Sequence, residues 1–103
     1  MHRIIEQHLN DIMQICRQRN VVRLALFGSA AGDRFDPGHS DLDLLVEFGK
    51  MAPAEHADQY FGLIEDLEHL LGRQIDLVEP GPVTNPYFRE SFEQSQVLLY
   101  AAS

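Results

Sequence analysis

The run Val21-Val22-Arg23-Leu24-Ala25-Leu26-Phe27, cut short by Gly28-Ser29, constrains this chain more than any other feature. It is short, mostly apolar and rich in branched residues, which suits a buried strand. Gly28-Ser29 ends it abruptly and opens a turn-rich stretch through Asp36-Pro37-Gly38-His39. A second strand is predicted over 42–48, entered by Ser40-Asp41. A third is predicted over 75–79, broken by Pro80-Gly81-Pro82.

Helical spacing fills much of the rest. Ile5, Leu9, Ile12 and Cys16, with Met13 beside them, recur at three- and four-residue steps. They predict an N-terminal helix that stops near Asn20. Pro53 precedes a second amphipathic helix, with Ala57, Phe61, Ile64, Leu67 and Leu71 sharing a face and Tyr60 and Leu70 flanking it. Glu55, Asp58, Glu65, Asp66 and Glu68 fall mostly outside that stripe. Gly72 is placed as its C-cap, with Arg73 near the negative end of the helix dipole. One more short helix is predicted over 88–93. The order is helix, strand, strand, helix, strand, helix. It predicts an α/β (α+β) domain with a small mixed sheet flanked by helices. At 103 residues, a single domain over 1–103 is the expectation.

Charge narrows the choice of partner. The formal net charge is −8, Lys50 is the only lysine, and the arginines are scattered. Nucleic acid as the main partner is disfavoured, because phosphate recognition needs clustered Lys and Arg. A strongly acidic small domain suits metal cations or a basic protein surface instead. Cys16 is the only cysteine, so no internal disulfide can form. No apolar run approaches the roughly 20 residues of a membrane span. The start Met1-His2-Arg3 and its mixed polar continuation do not resemble a signal peptide. The expected setting is cytoplasmic, with no membrane association.

Asp41-Leu42-Asp43 at the head of the second strand carries the chemistry. Alternate strand residues share a face, so Asp41 and Asp43 present two carboxylates side by side. Like charges this close call for a cation, and Mg²⁺ is the hard, oxygen-seeking choice. Asp76, in the third strand, completes a three-carboxylate site if that strand neighbours the second. Two metal ions about 4 Å apart suit an in-line displacement at phosphorus, holding the attacking and leaving oxygens. Gly28 and Ser29 suit the phosphates: glycine allows close backbone approach, and serine offers a hydroxyl and an N–H. Each piece alone also fits a turn or a solvated strand residue. Their conjunction on successive short strands is what points to a site.

These segments resemble a known family. Leu26-Phe27-Gly28-Ser29-Ala30-Ala31-Gly32, then His39-Ser40-Asp41-Leu42-Asp43-Leu44-Leu45-Val46-Glu47-Phe48, resembles the polymerase-β-type nucleotidyltransferase signature, and its minimal nucleotidyltransferase branch in particular. The resemblance runs over about 22–100. It includes Gly72-Arg73-Gln74-Ile75-Asp76-Leu77-Val78 and the Asn85-Pro86-Tyr87-Phe88-Arg89-Glu90 and Leu98-Leu99-Tyr100 ending. It implies a polymerase-β-like fold in which Asp41, Asp43 and Asp76 are catalytic and hold two Mg²⁺ ions. Asp76 could also help to deprotonate the acceptor. Gly28 and Ser29 would hold the phosphates of ATP. It further implies transfer of AMP from ATP to a hydroxyl, as in minimal nucleotidyltransferases paired with HEPN-domain toxins, where the acceptor is a tyrosine of the toxin. Neutralisation of a toxin by binding alone is the alternative, and association with the toxin or with a second copy fits either.

The chain departs from the family pattern in two respects. Family members often carry an arginine soon after Gly-Ser, where this chain reads Ala30-Ala31-Gly32. Eleven residues separate Ser29 from Asp41, one more than the commoner spacing. Arg34 is the residue expected to supply the lost charge to the nucleotide. Among the remaining polar residues, His39 reads as a loop residue near the site and Glu47 as a solvated strand residue. His2, His8, His56 and His69 lack the pairing a zinc site needs. Cys16, Tyr87, Phe88 and Phe92 read as packing residues.

Overall fold

The computed structural model describes residues 3–27, 42–79 and 97–102. They form α1 (Arg3–Gln7), α2 (Leu9–Gln18), β1 (Val21–Phe27), β2 (Leu42–Phe48), α3 (Pro53–Leu71), β3 (Ile75–Val78) and β4 (Val97–Ala101). The four strands make one sheet in the order β3-β2-β1-β4. β1 runs antiparallel to both β2 and β4, and β2 runs parallel to β3. The parallel pair needs a crossover, and α3 supplies it.

Strand alternation sorts side chains onto two faces. Leu42, Leu44 and Val46 of β2 join Leu24 and Leu26 of β1, Ile75 and Leu77 of β3 and Leu99 of β4 in one buried cluster. The same cluster takes in Ile5, Ile12 and Cys16 from the N-terminal helices and Leu63, Leu67 and Leu71 from α3. The described helices therefore pack on a single face of the sheet. Asp43 and Asp76 fall between the core positions, so they belong to the opposite face.

The strand expectations hold closely: β1 and β2 span the predicted residues, and β3 ends one residue early. The N-terminal helix differs, because it breaks at His8 into two. The His8 N–H turns back to the Ile5 carbonyl (3.2 Å), and the Ile12 N–H closes on the His8 carbonyl (2.9 Å). Ile5, Ile12 and Cys16 stay in one buried cluster across the break, so the apolar spacing could not reveal it. Asn20 does end the segment, in the left-handed conformation at φ 59° that asparagine tolerates.

α3 keeps Ile64, Leu67 and Leu71 of the predicted face turned to the core and departs from it at Ala57 and Phe61. Leu63, Leu67 and Leu71 are buried, with Tyr60, Ile64 and Leu70 packed beside them. Phe61 is 66% exposed and Ala57 is exposed as well. Both stripes obey helical spacing, and the sheet surface chose between them. Gly72 is the C-cap as expected, at φ 67°, its N–H bonded to the Glu68 carbonyl (2.9 Å). β4 was not anticipated. Val97-Leu98-Leu99-Tyr100 is a short apolar run consistent with a strand, but its partner β1 lies far away in the chain. The helix predicted over 88–93 lies outside the described residues.

Candidate active site

The parallel β2–β3 ladder aligns Leu42 with Ile75, Asp43 with Asp76, Leu44 with Leu77 and Leu45 with Val78. Asp43 and Asp76 are thus direct cross-strand neighbours. Asp43 is half-buried and Asp76 exposed, on the sheet face away from the described helices. Aligned positions on neighbouring strands bring Cβ atoms to within about 5 Å. The condition set by the sequence, that the third strand lie beside the second, is met, and it is met in register.

This pair suits a hard divalent cation, which takes carboxylate oxygens as ligands. Among the described residues no three His, Cys, Asp or Glu side chains converge closely enough to hold a metal ion. A full three-carboxylate site therefore needs Asp41, which immediately precedes β2 and lies outside the described residues. Gly28, Ser29, Arg34 and His39 lie outside them too. Phe27 ends β1 opposite Asp43, so the chain leaves β1 towards Gly28-Ser29 at the carboxylate end of the sheet.

The neighbouring polar residues have other duties. Glu47, four residues beyond Asp43 on β2, is exposed and pairs in register with Arg23, its Oε2 3.9 Å from Nη1. His56 packs its ring on Phe48 (centroids 5.2 Å apart), and its Nε2 meets the Glu79 Oε1 at 2.5 Å. Strand direction puts Phe48 and Glu79 at the far end of the sheet from Asp43 and Asp76.

Two residues of α3 that carry no motif bear on β3. The Tyr60 hydroxyl donates to the Leu77 carbonyl (2.6 Å), and the Glu68 Oε2 accepts the Ile75 N–H (3.0 Å). Burial first, then the carboxylates of Glu79 and Asp76, push the Tyr60 hydroxyl above the ordinary tyrosine range. Its proton is therefore retained at neutral pH, as donation to Leu77 requires. Sequence reasoning placed Tyr60 beside the apolar stripe and Glu68 outside it, because contacts to an outer strand leave no spacing signal.

Cys16 is fully buried, as expected of a core residue. Desolvation pushes its thiol up to about 12, with Arg17 pulling weakly the other way. No described helix is long and apolar enough to cross a membrane.

The nucleotidyltransferase domain family model matches residues 9–99. Two proteins of Methanocaldococcus jannaschii, each named "putative protein adenylyltransferase", are 34% identical to this chain. One alignment covers 88% of this chain and 97% of the relative, the other 92% and 94%. A solved structure of a "putative minimal nucleotidyltransferase" superposes with a TM-score of 0.63 at 30% identity, covering 90% of each chain. A toxin–antitoxin structure with AMP-PNP shares the fold at a TM-score of 0.66 and 19% identity, covering 92% of this chain and 74% of that one. A variant of the toxin–antitoxin MntA-HpeT shares it equally, at 16% identity. A four-stranded mixed sheet backed by helices is the architecture this chain shares with these structures. The chain belongs to the nucleotidyltransferase domain family, and it is a nucleotidyltransferase.

Proposed function

We propose that this chain transfers AMP from ATP to a protein hydroxyl, a tyrosine of a HEPN-type toxin, and so acts as the antitoxin. The observation that carries the proposal is the register of Asp43 with Asp76, which sets two carboxylates side by side on the sheet face opposite the described helices. Two relatives named as protein adenylyltransferases support the reaction class, and a toxin–antitoxin assembly with AMP-PNP supports the partner class. The MntA-HpeT variant carries Asp→Glu changes at two positions separated by one residue, the spacing of Asp41 and Asp43 here.

In this reading Asp41, Asp43 and Asp76 hold two Mg²⁺ ions. Those ions, when bound, neutralise charge on the phosphates and polarise the reacting oxygens. Gly28 and Ser29 hold the triphosphate, and Arg34 supplies the cation missing from 30–32. The acceptor hydroxyl oxygen attacks the α-phosphorus, the bond to the β-phosphate oxygen breaks, and pyrophosphate leaves. Asp76, more exposed than Asp43, is the carboxylate read here as helping to take the acceptor proton. The net charge of −8 favours encounter with a basic toxin surface.

The test is transfer of label from α-³²P-ATP, with Mg²⁺, onto the partner protein, with wild type and Asp43→Ala side by side. Label from the wild type alone is the expected result. The absence of an arginine after Gly28-Ser29 favours a second reading, silencing by binding alone. Full neutralisation by an Asp41→Ala/Asp43→Ala variant, with no label transferred by the wild type, would decide for it.

A further inference from the structure

We propose that Tyr60 and Glu68 are positioning residues that hold β3 by its outer edge and thereby set Asp76 opposite Asp43. The inference rests on the reading of Asp76 as part of the metal site.

β3 is four residues long and, among the described residues, lies at the end of the sheet with β2 as its one strand neighbour. A strand this short has few ladder bonds to fix its place. The Leu42 N–H donates to the Gln74 carbonyl (3.2 Å), so the backbone groups of Gln74 face β2. By strand alternation those of Asp76 also face β2, and those of Ile75 and Leu77 face outwards. Both outward residues are engaged from α3: Ile75 through its N–H to Glu68, and Leu77 through its carbonyl to Tyr60. The two contacts bracket Asp76, one residue on either side. Tyr60 meets the later strand residue and Glu68 the earlier one, so α3 runs antiparallel to β3. A slip or twist of β3 relative to β2 would break both bonds.

Side chains also satisfy edge strands simply to block association. Positioning makes a further demand, that loss of either contact change the geometry of the carboxylate pair. Mn²⁺ serves as the probe, its binding to the purified full chain read from the electron paramagnetic resonance of the free ion. Tyr60→Phe and Glu68→Ala are each expected to weaken binding by about tenfold, the range for residues that orient a ligand. Both should speed amide exchange across β3. Glu68→Gln keeps an oxygen acceptor for the Ile75 N–H and is expected to bind Mn²⁺ like wild type. Leu99→Ala, in the core on the far strand β4, should lower the melting temperature without changing Mn²⁺ affinity. Unchanged affinity in Tyr60→Phe and Glu68→Ala, beside a loss in Asp76→Ala, overturns the positioning role alone. Equal weakening in Leu99→Ala overturns it too, since the effect would then be general stability. Unchanged affinity in Asp76→Ala overturns the carboxylate reading and the positioning role with it.

Discussion

Asp43 on β2 and Asp76 on β3 stand opposite each other in a parallel ladder, on the sheet face that the described helices leave open. Like charges in direct cross-strand register oppose folding. Without a divalent cation, Asp76→Asn should therefore raise the unfolding free energy by a few tenths of a kcal/mol. Mg²⁺ should raise the melting temperature of wild type and leave that of Asp76→Asn nearly unmoved. Transfer of label should fall at least about a hundredfold in Asp43→Ala and Asp76→Ala, since loss of a ligand costs more than loss of its support. A metal-independent melting temperature in wild type would speak against the site.

The face that α3 buries separates two large apolar residues two positions apart. Leu63 is fully buried between helix and sheet, and Phe61 is 66% exposed. Leu63→Ala should cost about 2–5 kcal/mol through lost burial and a residual cavity. Phe61→Ala should cost less than about 1 kcal/mol. Urea denaturation of the two variants measures the difference, and equal costs would contradict that face.

Gly72 caps α3 in the left-handed region, at φ 67°, with no atom within 4 Å of where a Cβ would stand. The cost of Gly72→Ala is thus conformational rather than steric, about 1 kcal/mol. The same urea series reads it. A stabilising effect would mean that the helix ends differently.

Cys16 titrates far above a free thiol, at about 12 against 9.0, because burial disfavours the thiolate. The folded chain therefore holds this proton more tightly than the unfolded chain. The resulting contribution is fully present below pH 9.0 and is lost as pH rises towards 12. Tyr60, raised in the same direction, adds to the alkaline loss. Unfolding free energy should fall through that window, and less steeply in Cys16→Ala. A thiol reagent at neutral pH should label the denatured chain promptly and the native chain hardly at all. Prompt native labelling would place Cys16 outside the core.

Much of the fold was legible because the relevant signals are local. Val21–Phe27 and Leu42–Phe48 are strands in sequence and in structure, and Pro53 and Gly72 mark the ends of α3. The break at His8 was hidden because the buried spacing of Ile5, Ile12 and Cys16 runs through it. β4 was missed because its partner, β1, lies far away in the chain and a short apolar run alone does not settle its pairing. At the candidate site, Asp43 and Asp76 were legible as residue types in a pattern, whereas Tyr60 and Glu68 were not. Their contacts join a helix to an outer strand edge, and no periodicity encodes that.

By itself, then, the sequence determined β1, β2, α3 and β3 with most of their bounds, the charge and the motif that marks the family. Each of these follows from residues within a few positions of one another. The tertiary structure decided which stripe of α3 is buried, which strands are neighbours and how they are aligned. A helix with two competing apolar stripes, or a strand free to pair with several others, resolves its choice only against the surface it meets. Asp43 and Asp76 are neighbours because β3 lies parallel to β2 in one particular register, and that register belongs to the packed sheet.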